Sequence, residues 1–231
     1  MPLDRRQLLK ASTGLVVTAL VGSKPAAALS KNSCQPQEPL KSLMEGNHRF
    51  STAWQEASRN PSTHLGSQLD NNRCFIPPEK LINEQHPWAT VLTCADSRVS
   101  PSWIFDTTPG ELFVIRSAGN TAFDAAIASI EYSIGVLKTP LVMVMGHSGC
   151  GAVSAAMGDD ALTPSLERLI TPIRSQIANC PDLTTAVRSN AMGTAKTLRE
   201  NSAVLREAEA NGATTLVASF FNLKTGAVTL I

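Results

Sequence analysis

The 231-residue chain has little that would engage a nucleic acid or an acidic membrane. Lys and Arg total 20 against 19 Asp and Glu, a formal net charge of +1, and no long block carries one sign. The electrostatic footprint of a polyanionic partner is therefore missing. One Tyr and three Trp are too few for a base-stacking platform. No internal repeat is present, which excludes solenoids and repeat arrays. What remains is ordinary for a soluble globular protein: 43% hydrophobic and 17% charged residues, in a chain long enough for one domain with a sizeable core.

The amino-terminal residues read as a targeting segment. Arg5 and Arg6 precede Gln7-Leu8-Leu9-Lys10, an apolar stretch runs from Gly14 to Gly22, and Ala26-Ala27-Ala28 offers the small side chains of a cleavage site. This is the three-part layout of an export signal, and its apolar core is too short to span a bilayer comfortably. The paired arginines resemble a twin-arginine signal. The expectation is a protein exported by the twin-arginine machinery to the periplasm, or to the thylakoid lumen of a cyanobacterium. An uncleaved membrane anchor is the alternative. Five cysteines follow, Cys34, Cys74, Cys94, Cys150 and Cys180. In an oxidising compartment spare thiols can pair, and an odd count leaves at least one with another task.

Periodicity lays out the rest. Glu38 to Trp54 reads as a helix, with Leu40, Leu43, Met44 and Phe50 at helical spacing. Ser58 to Pro87 is rich in Pro, Asn, Ser and Gly and reads as an irregular arm, long enough to suggest packing on a partner subunit. Trp88–Thr93, Leu112–Arg116, Leu141–Met145 and Thr214–Phe220 are short apolar runs of the kind that form strands buried on both faces. Helical patterns occupy Phe123–Leu137, Leu162–Ala178 and Thr184–Ala210. Strands alternating with helices predict an α/β fold with a mostly parallel four-stranded sheet flanked by helices. Lys224-Thr225-Gly226 reads as a turn that returns Ala227–Ile231 as an antiparallel carboxy-terminal edge strand.

Two polar clusters stand where predicted strands end. Cys94-Ala95-Asp96-Ser97-Arg98 follows the first strand, and His147-Ser148-Gly149-Cys150-Gly151 follows the third. Ligands of open α/β sheets bind at the carboxyl edge, so these distant segments can meet there. Together they supply two thiolates and an imidazole from Cys94, His147 and Cys150, a donor set that zinc accepts in a tetrahedral site. Three protein ligands leave a fourth position for water or a carboxylate. Asp96 is the nearby acid, and Arg98 could hold it as a bidentate pair. His48, His64 and His86 lack a matching neighbour and are not expected to be ligands.

The run Cys94 to Val99 with Pro101, then Ile104-Phe105-Asp106, Pro109 to Phe113, Arg116, Ala118-Gly119-Asn120, Ser129 to Tyr132 and Gly146 to Val153 resembles the β-carbonic anhydrase family, as does Gly46-Asn47 with Arg49-Phe50. The resemblance implies one zinc ion per subunit on Cys94, His147 and Cys150, with Asp96 and Arg98 as the catalytic dyad. It implies that Arg98 holds Asp96 off the metal, and that Asp96 becomes a fourth metal ligand when that pair breaks. It places Gln85, Phe113, Tyr132 and the Gly151 amide as substrate-binding groups for carbon dioxide and bicarbonate. Val91 stands where the bicarbonate-inhibited class has a tryptophan, which implies the plant-like, open form. Ala218 and Phe221-Asn222 depart from the family's carboxy-terminal pattern, and Ala118 replaces a larger pocket residue.

The expected organisation is an export segment over 1–28, a helical arm over 29–87 and a zinc-binding α/β catalytic domain over 88–231. The arm fits a homodimer or a multiple of dimers. The expected function is zinc-dependent, reversible hydration of carbon dioxide. The alternatives are a same-fold hydrolase of carbon disulfide or carbonyl sulfide, and a non-catalytic zinc scaffold or redox sensor. Cys34, Cys74 and Cys180 are left either to form a disulfide or to remain thiols.

Overall fold

A computed structural model of the chain describes residues 35–68 and 76–231. The expected export segment, Cys34 and Cys74 lie outside the described residues. Five strands build one sheet: β1 (Ala89–Cys94), β2 (Leu112–Ser117), β3 (Leu141–His147), β4 (Thr215–Asn222) and β5 (Ala227–Leu230), in the order β2-β1-β3-β4-β5. β1 to β4 are parallel, and β5 pairs antiparallel with β4. This is the expected α/β arrangement, with the antiparallel strand at the carboxy-terminal edge.

Of the apolar runs expected to be buried on both faces, those of β1 and β3 take the central places, whereas β2 is an edge strand in which Ile115 alone is buried. Every residue of β1 and β3 is buried, as the absence of polar alternation requires for strands covered on both faces. Successive side chains go to opposite faces. Leu92, Val142 and Val144 pack with α5 (Asp124–Gly135), α8 (Leu183–Asn201) and α9 (Ala203–Ala210). Val91, Met143 and Met145 pack with α1 (Pro39–Arg59) and α4 (Pro101–Ile104). A third cluster, under α6 (Gly151–Met157), α7 (Pro164–Ile177) and α8, encloses Cys94 and Cys150.

Helix α1 is tied to both ends of the domain by one buried side chain. Asn47 Nδ2 donates to Ile104 O at 3.2 Å and to Gly226 O at 2.9 Å, and Val228 N donates to Asn47 Oδ1 at 2.7 Å. Arg49 Nε pairs with Asp106 Oδ2 at 2.5 Å, and Phe50 packs on Trp54 and Phe221. The Gly46–Phe50 motif is thus the docking face of the helix.

Three expectations are corrected. The predicted helix over Thr184–Ala210 is two helices, because Ser202 leaves the helical conformation (φ −118°, ψ 111°) and caps α9. Its buried Oγ accepts from Leu205 N and donates to Glu131 on α5. The arm over Ser58–Pro87 is not irregular throughout. α1 continues to Arg59, and the short helices α2 (Leu65–Gln68) and α3 (Pro78–Asn83) follow. Pro78, at the first turn of α3, presets φ where no N–H is needed. α4 and α6 were also unexpected. No helix among the described residues is long and apolar enough to cross a membrane.

Candidate metal centre

Chain order and sheet order together create the site. From β1 the chain moves to β2 on one side, then to β3 on the other, so the strand order reverses between β1 and β3. Such a reversal opens a crevice at the carboxyl ends. Cys94 is the last residue of β1 and His147 the last of β3. Gly149, at φ +66°, makes the turn that a side chain would resist, and it places Cys150 at the amino-terminal cap of α6. Ser148 anchors this turn on the neighbouring strand: its N–H donates to Phe221 O at 2.9 Å, and its Oγ accepts from Leu223 N at 2.9 Å.

One ligand atom each from Cys94, His147 and Cys150 lies within 4.8 Å of the others, and all three residues are buried. Among the described residues this is the single grouping of its kind. The two sulfurs are 3.9 Å apart. Two zinc–sulfur bonds of about 2.3 Å at the tetrahedral angle would separate them by about 3.8 Å. His147 Nδ1 lies 3.0 Å from Ser148 O. Donating to that carbonyl puts the ring proton on Nδ1, which leaves the Nε2 lone pair free. His147 Nε2 is buried without a hydrogen-bond partner. A buried nitrogen is costly to leave unmatched, so the orphan points to a ligand outside the protein's own groups. Two sulfurs and an imidazole suit a thiophilic, tetrahedral cation such as zinc. The donor set therefore fits a metal ion.

The electrostatics agree. The S–H of Cys150 beside it, opposed by burial, pushes the Cys94 thiol well below its usual range, with His147 and the backbone N–H groups of Gly119 and Asp96 adding to the effect. The same contact and burial push Cys150 up. Two sulfurs 3.9 Å apart cannot both carry bare negative charge cheaply, and a dication between them would let both be thiolates.

Asp96 stands next to this set, with Oδ2 3.8 Å from His147 Nε2. Arg98 grips it in bidentate fashion, Nε to Oδ1 at 2.9 Å and Nη2 to Oδ2 at 2.6 Å, and the Arg98 N–H adds a third bond at 2.9 Å. These bonds, led by the guanidinium, lower the Asp96 carboxyl to about 2. Arg98 Nη2 also reaches Gly149 O at 3.2 Å, joining the two clusters. Arg116 has a part that the sequence did not reveal. From β2 its guanidinium donates to Cys94 O at 3.1 Å, Asp96 O at 2.7 Å and Val99 O at 2.9 Å, pinning the loop that carries the dyad. A cation in an otherwise apolar predicted strand was the available signal.

Not every expected site residue gathers here. Gly151 does: it opens α6, and a methyl group on its Cα would meet nothing within 4 Å. Gln85, Phe113 and Tyr132 do not, within one chain. Gln85 is exposed in the segment that enters β1 at its amino end. Phe113 pairs with Thr90, four residues and about 13 Å of strand before Cys94. Tyr132, on α5, packs on Phe113 with ring centroids 6.3 Å apart. Among the remaining histidines, His48 and His64 are exposed and His86 lies 3.0 Å from Glu84, all apart from the centre. Cys180 is a free, half-buried thiol.

Fold and site define an open α/β protein whose strand-order reversal holds a buried Cys–His–Cys group able to bind a metal. The pattern of the family described as carbonic anhydrase matches residues 89–228. The chain belongs to that family. It is 38% identical over 122 residues to carbonic anhydrase 2 of Mycobacterium tuberculosis, a stretch that makes up 53% of each chain. It is 37% identical over 124 residues to the carbonic anhydrase of Synechococcus elongatus, covering 51% of this chain and 40% of that one. The aligned part thus spans about half the length of these relatives or less. Its fold is that of the Coccomyxa β-carbonic anhydrase solved with acetazolamide (TM-score 0.60, 24% identity, 83% of this chain and 86% of that one). It also matches one of two tetrameric β-carbonic anhydrases from Sordaria macrospora (TM-score 0.59, 22% identity, 83% and 95%).

Proposed function

We propose that the protein catalyses the reversible hydration of carbon dioxide to bicarbonate and a proton, with one zinc ion per subunit held by Cys94, His147 and Cys150. The observation that carries this reading is a buried three-donor metal set with a restrained carboxylate 3.8 Å from its imidazole. A purely structural metal site has no need of such a carboxylate. A bound zinc ion supplies the Lewis acidity that makes a proton of water labile near neutral pH, an effect known from carbonic anhydrases themselves. Asp96 accepts a hydrogen bond from the reacting water and orients it. With a pKa of about 2 the carboxylate is too weak a base to keep a proton at neutral pH, so it passes the proton on to solvent. Arg98 keeps Asp96 off the three donors, and this intact pair supports the open, plant-like form. The Gly151 N–H at the start of α6 is a donor for a bicarbonate oxygen.

Gln85, Phe113 and Tyr132 complete this reading only in a homodimer. Pairing two β2 edges about a two-fold axis runs them antiparallel, which sets the amino end of one sheet beside the carboxyl end of the other. The exposed edge position Val114 and the half-exposed Tyr132 support such an assembly. A second copy would then give each site its apolar wall and its amide donor.

The order of arginine pair, apolar stretch and alanine run supports export to the periplasm through the twin-arginine machinery. Amino-terminal sequencing of protein recovered from the periplasm should begin at Leu29; recovery of intact chain in the cytoplasm would refute export. The test of the activity is stopped-flow carbon dioxide hydration together with metal analysis. The native chain should hydrate carbon dioxide with stoichiometric zinc. Asp96→Asn should keep its zinc and lose at least about 100-fold in activity. Full activity in that variant would remove Asp96 from the mechanism.

A further inference from the structure

Asn190 is a buried amide with half of its hydrogen bonding unmet. It lies on α8 with no exposed surface, among Ala186, Val187, Ala191 and Thr194 of the buried face. Its Oδ1 has no partner. Leaving a buried acceptor unsatisfied destabilises the fold, and an apolar side chain of the same shape would avoid that cost. Packing therefore does not account for an amide here. Its donor does: Asn190 Nδ2 bonds to Gly119 O at 2.8 Å.

Gly119 follows β2 in the left-handed region, at φ +73°. A Cβ at this position would come within 2.5 Å of Ile173 Cδ1 and 3.2 Å of Ala152 Cβ, so the backbone is seated directly against α7 and α6. The Gly119 N–H donates to Cys94 Sγ at 3.3 Å. One residue thus turns its carbonyl to α8 and its amide to a ligand sulfur.

We propose that Asn190 is a positioning residue of the metal centre: by holding Gly119 O it keeps the Gly119 N–H on Cys94 Sγ. The inference rests on the metal-centre reading above. Hydrogen bonds to a ligand atom set how much charge it gives the metal. Two thiolates donate more charge than two imidazoles would, which makes the ion a weaker Lewis acid. An N–H on one of the sulfurs draws charge back and offsets part of that loss. Asn190 acts on the ligand sulfur through one intervening residue, Gly119, and not by touching it.

The test uses the full chain with cobalt(II) in place of zinc and reads the thiolate-to-cobalt charge-transfer band. Asn190→Leu and Asn190→Ala should both shift the band to longer wavelength, because the sulfur regains electron density. Thr194→Val should leave it in place, since Thr194 is buried on the same helix face but bonds to Gln176. An unmoved band in either folded Asn190 variant, or an equal shift in Thr194→Val, would overturn the proposal. In unaltered protein loaded with cadmium-113, a scalar coupling from cadmium to the Gly119 amide proton is expected, and its absence would also overturn it. Native protein that takes up cobalt without any thiolate band would instead refute the metal-centre reading itself.

Discussion

The two ends of the sheet differ in how complete they are. At the carboxyl ends, Cys94, His147 and Cys150 are buried, Asp96 is gripped by Arg98, and Arg116 fastens the intervening loop through three carbonyls. At the amino ends, Gln85 and Tyr132 face solvent, and Phe113 is half-buried beside Tyr132. Both ends carry residues that the family resemblance assigns to one pocket. One end is finished within a single chain; at the other, these residues lie at or near the surface, where the proposed homodimer would have to bring them to a site.

The largest effect should come from the finished end. Cys94→Ser, His147→Asn and Cys150→Ser each remove a donor from a buried set and should abolish both zinc retention and hydration. Elemental analysis checks this, and stoichiometric zinc in any one of them would break the ligand assignment. A smaller effect is expected at the open end. Gln85→Ala combined with Tyr132→Ala should lower activity by roughly 10²-fold with zinc retained, in line with the loss of a transition-state donor. Mixing that variant with Cys94→Ser should restore activity, because one site of each mixed dimer would then have an intact centre and an intact wall. No recovery on mixing would mean that the two ends do not serve one pocket. The smallest effect is the stability that the Asp96–Arg98 pair lends the fold. Arg98→Ala should raise the Asp96 pKa from about 2 toward its ordinary 3.8, as followed by carboxyl NMR. Because folding lowers this pKa, the pair stabilises the fold above about pH 4, and that contribution disappears as pH falls through about 2. Arg98 is half-exposed and screened by solvent, so the stability gap between variant and native chain should be small at neutral pH and close in acid.

Local pattern made most of the sheet legible. β1 and β3 are continuous apolar runs, and the polar clusters that follow them announced the Cys94–His147–Cys150 group before any coordinates. The break at Ser202 was hidden because the helical period runs through it, and what ends the helix is a tertiary bond to Glu131. The seven residues of α6 were too few and too small to show a pattern. The resemblance assigns Gln85, Phe113 and Tyr132 to substrate binding, but within one chain they stand apart from the metal centre, and residue identity carries no information about what could bring them to it. Arg116 and Asn190 act through backbone carbonyls contributed by other loops, and such partners are defined only once those loops have folded.

Asn47 gives this fold a temporal order. Two of its three bonds go to residues 226 and 228, while the segments that form the metal centre end at residue 151. During synthesis the three donor residues are therefore in place on the chain before α1 has its final dock. Contacts this distant along the chain close late and slowly, because a long loop must be brought together first. The first of the described helices is thus the last one fully fastened: a chain stalled before residue 226 keeps its docks at Ile104 and Asp106 but lacks the two at the carboxy-terminal hairpin.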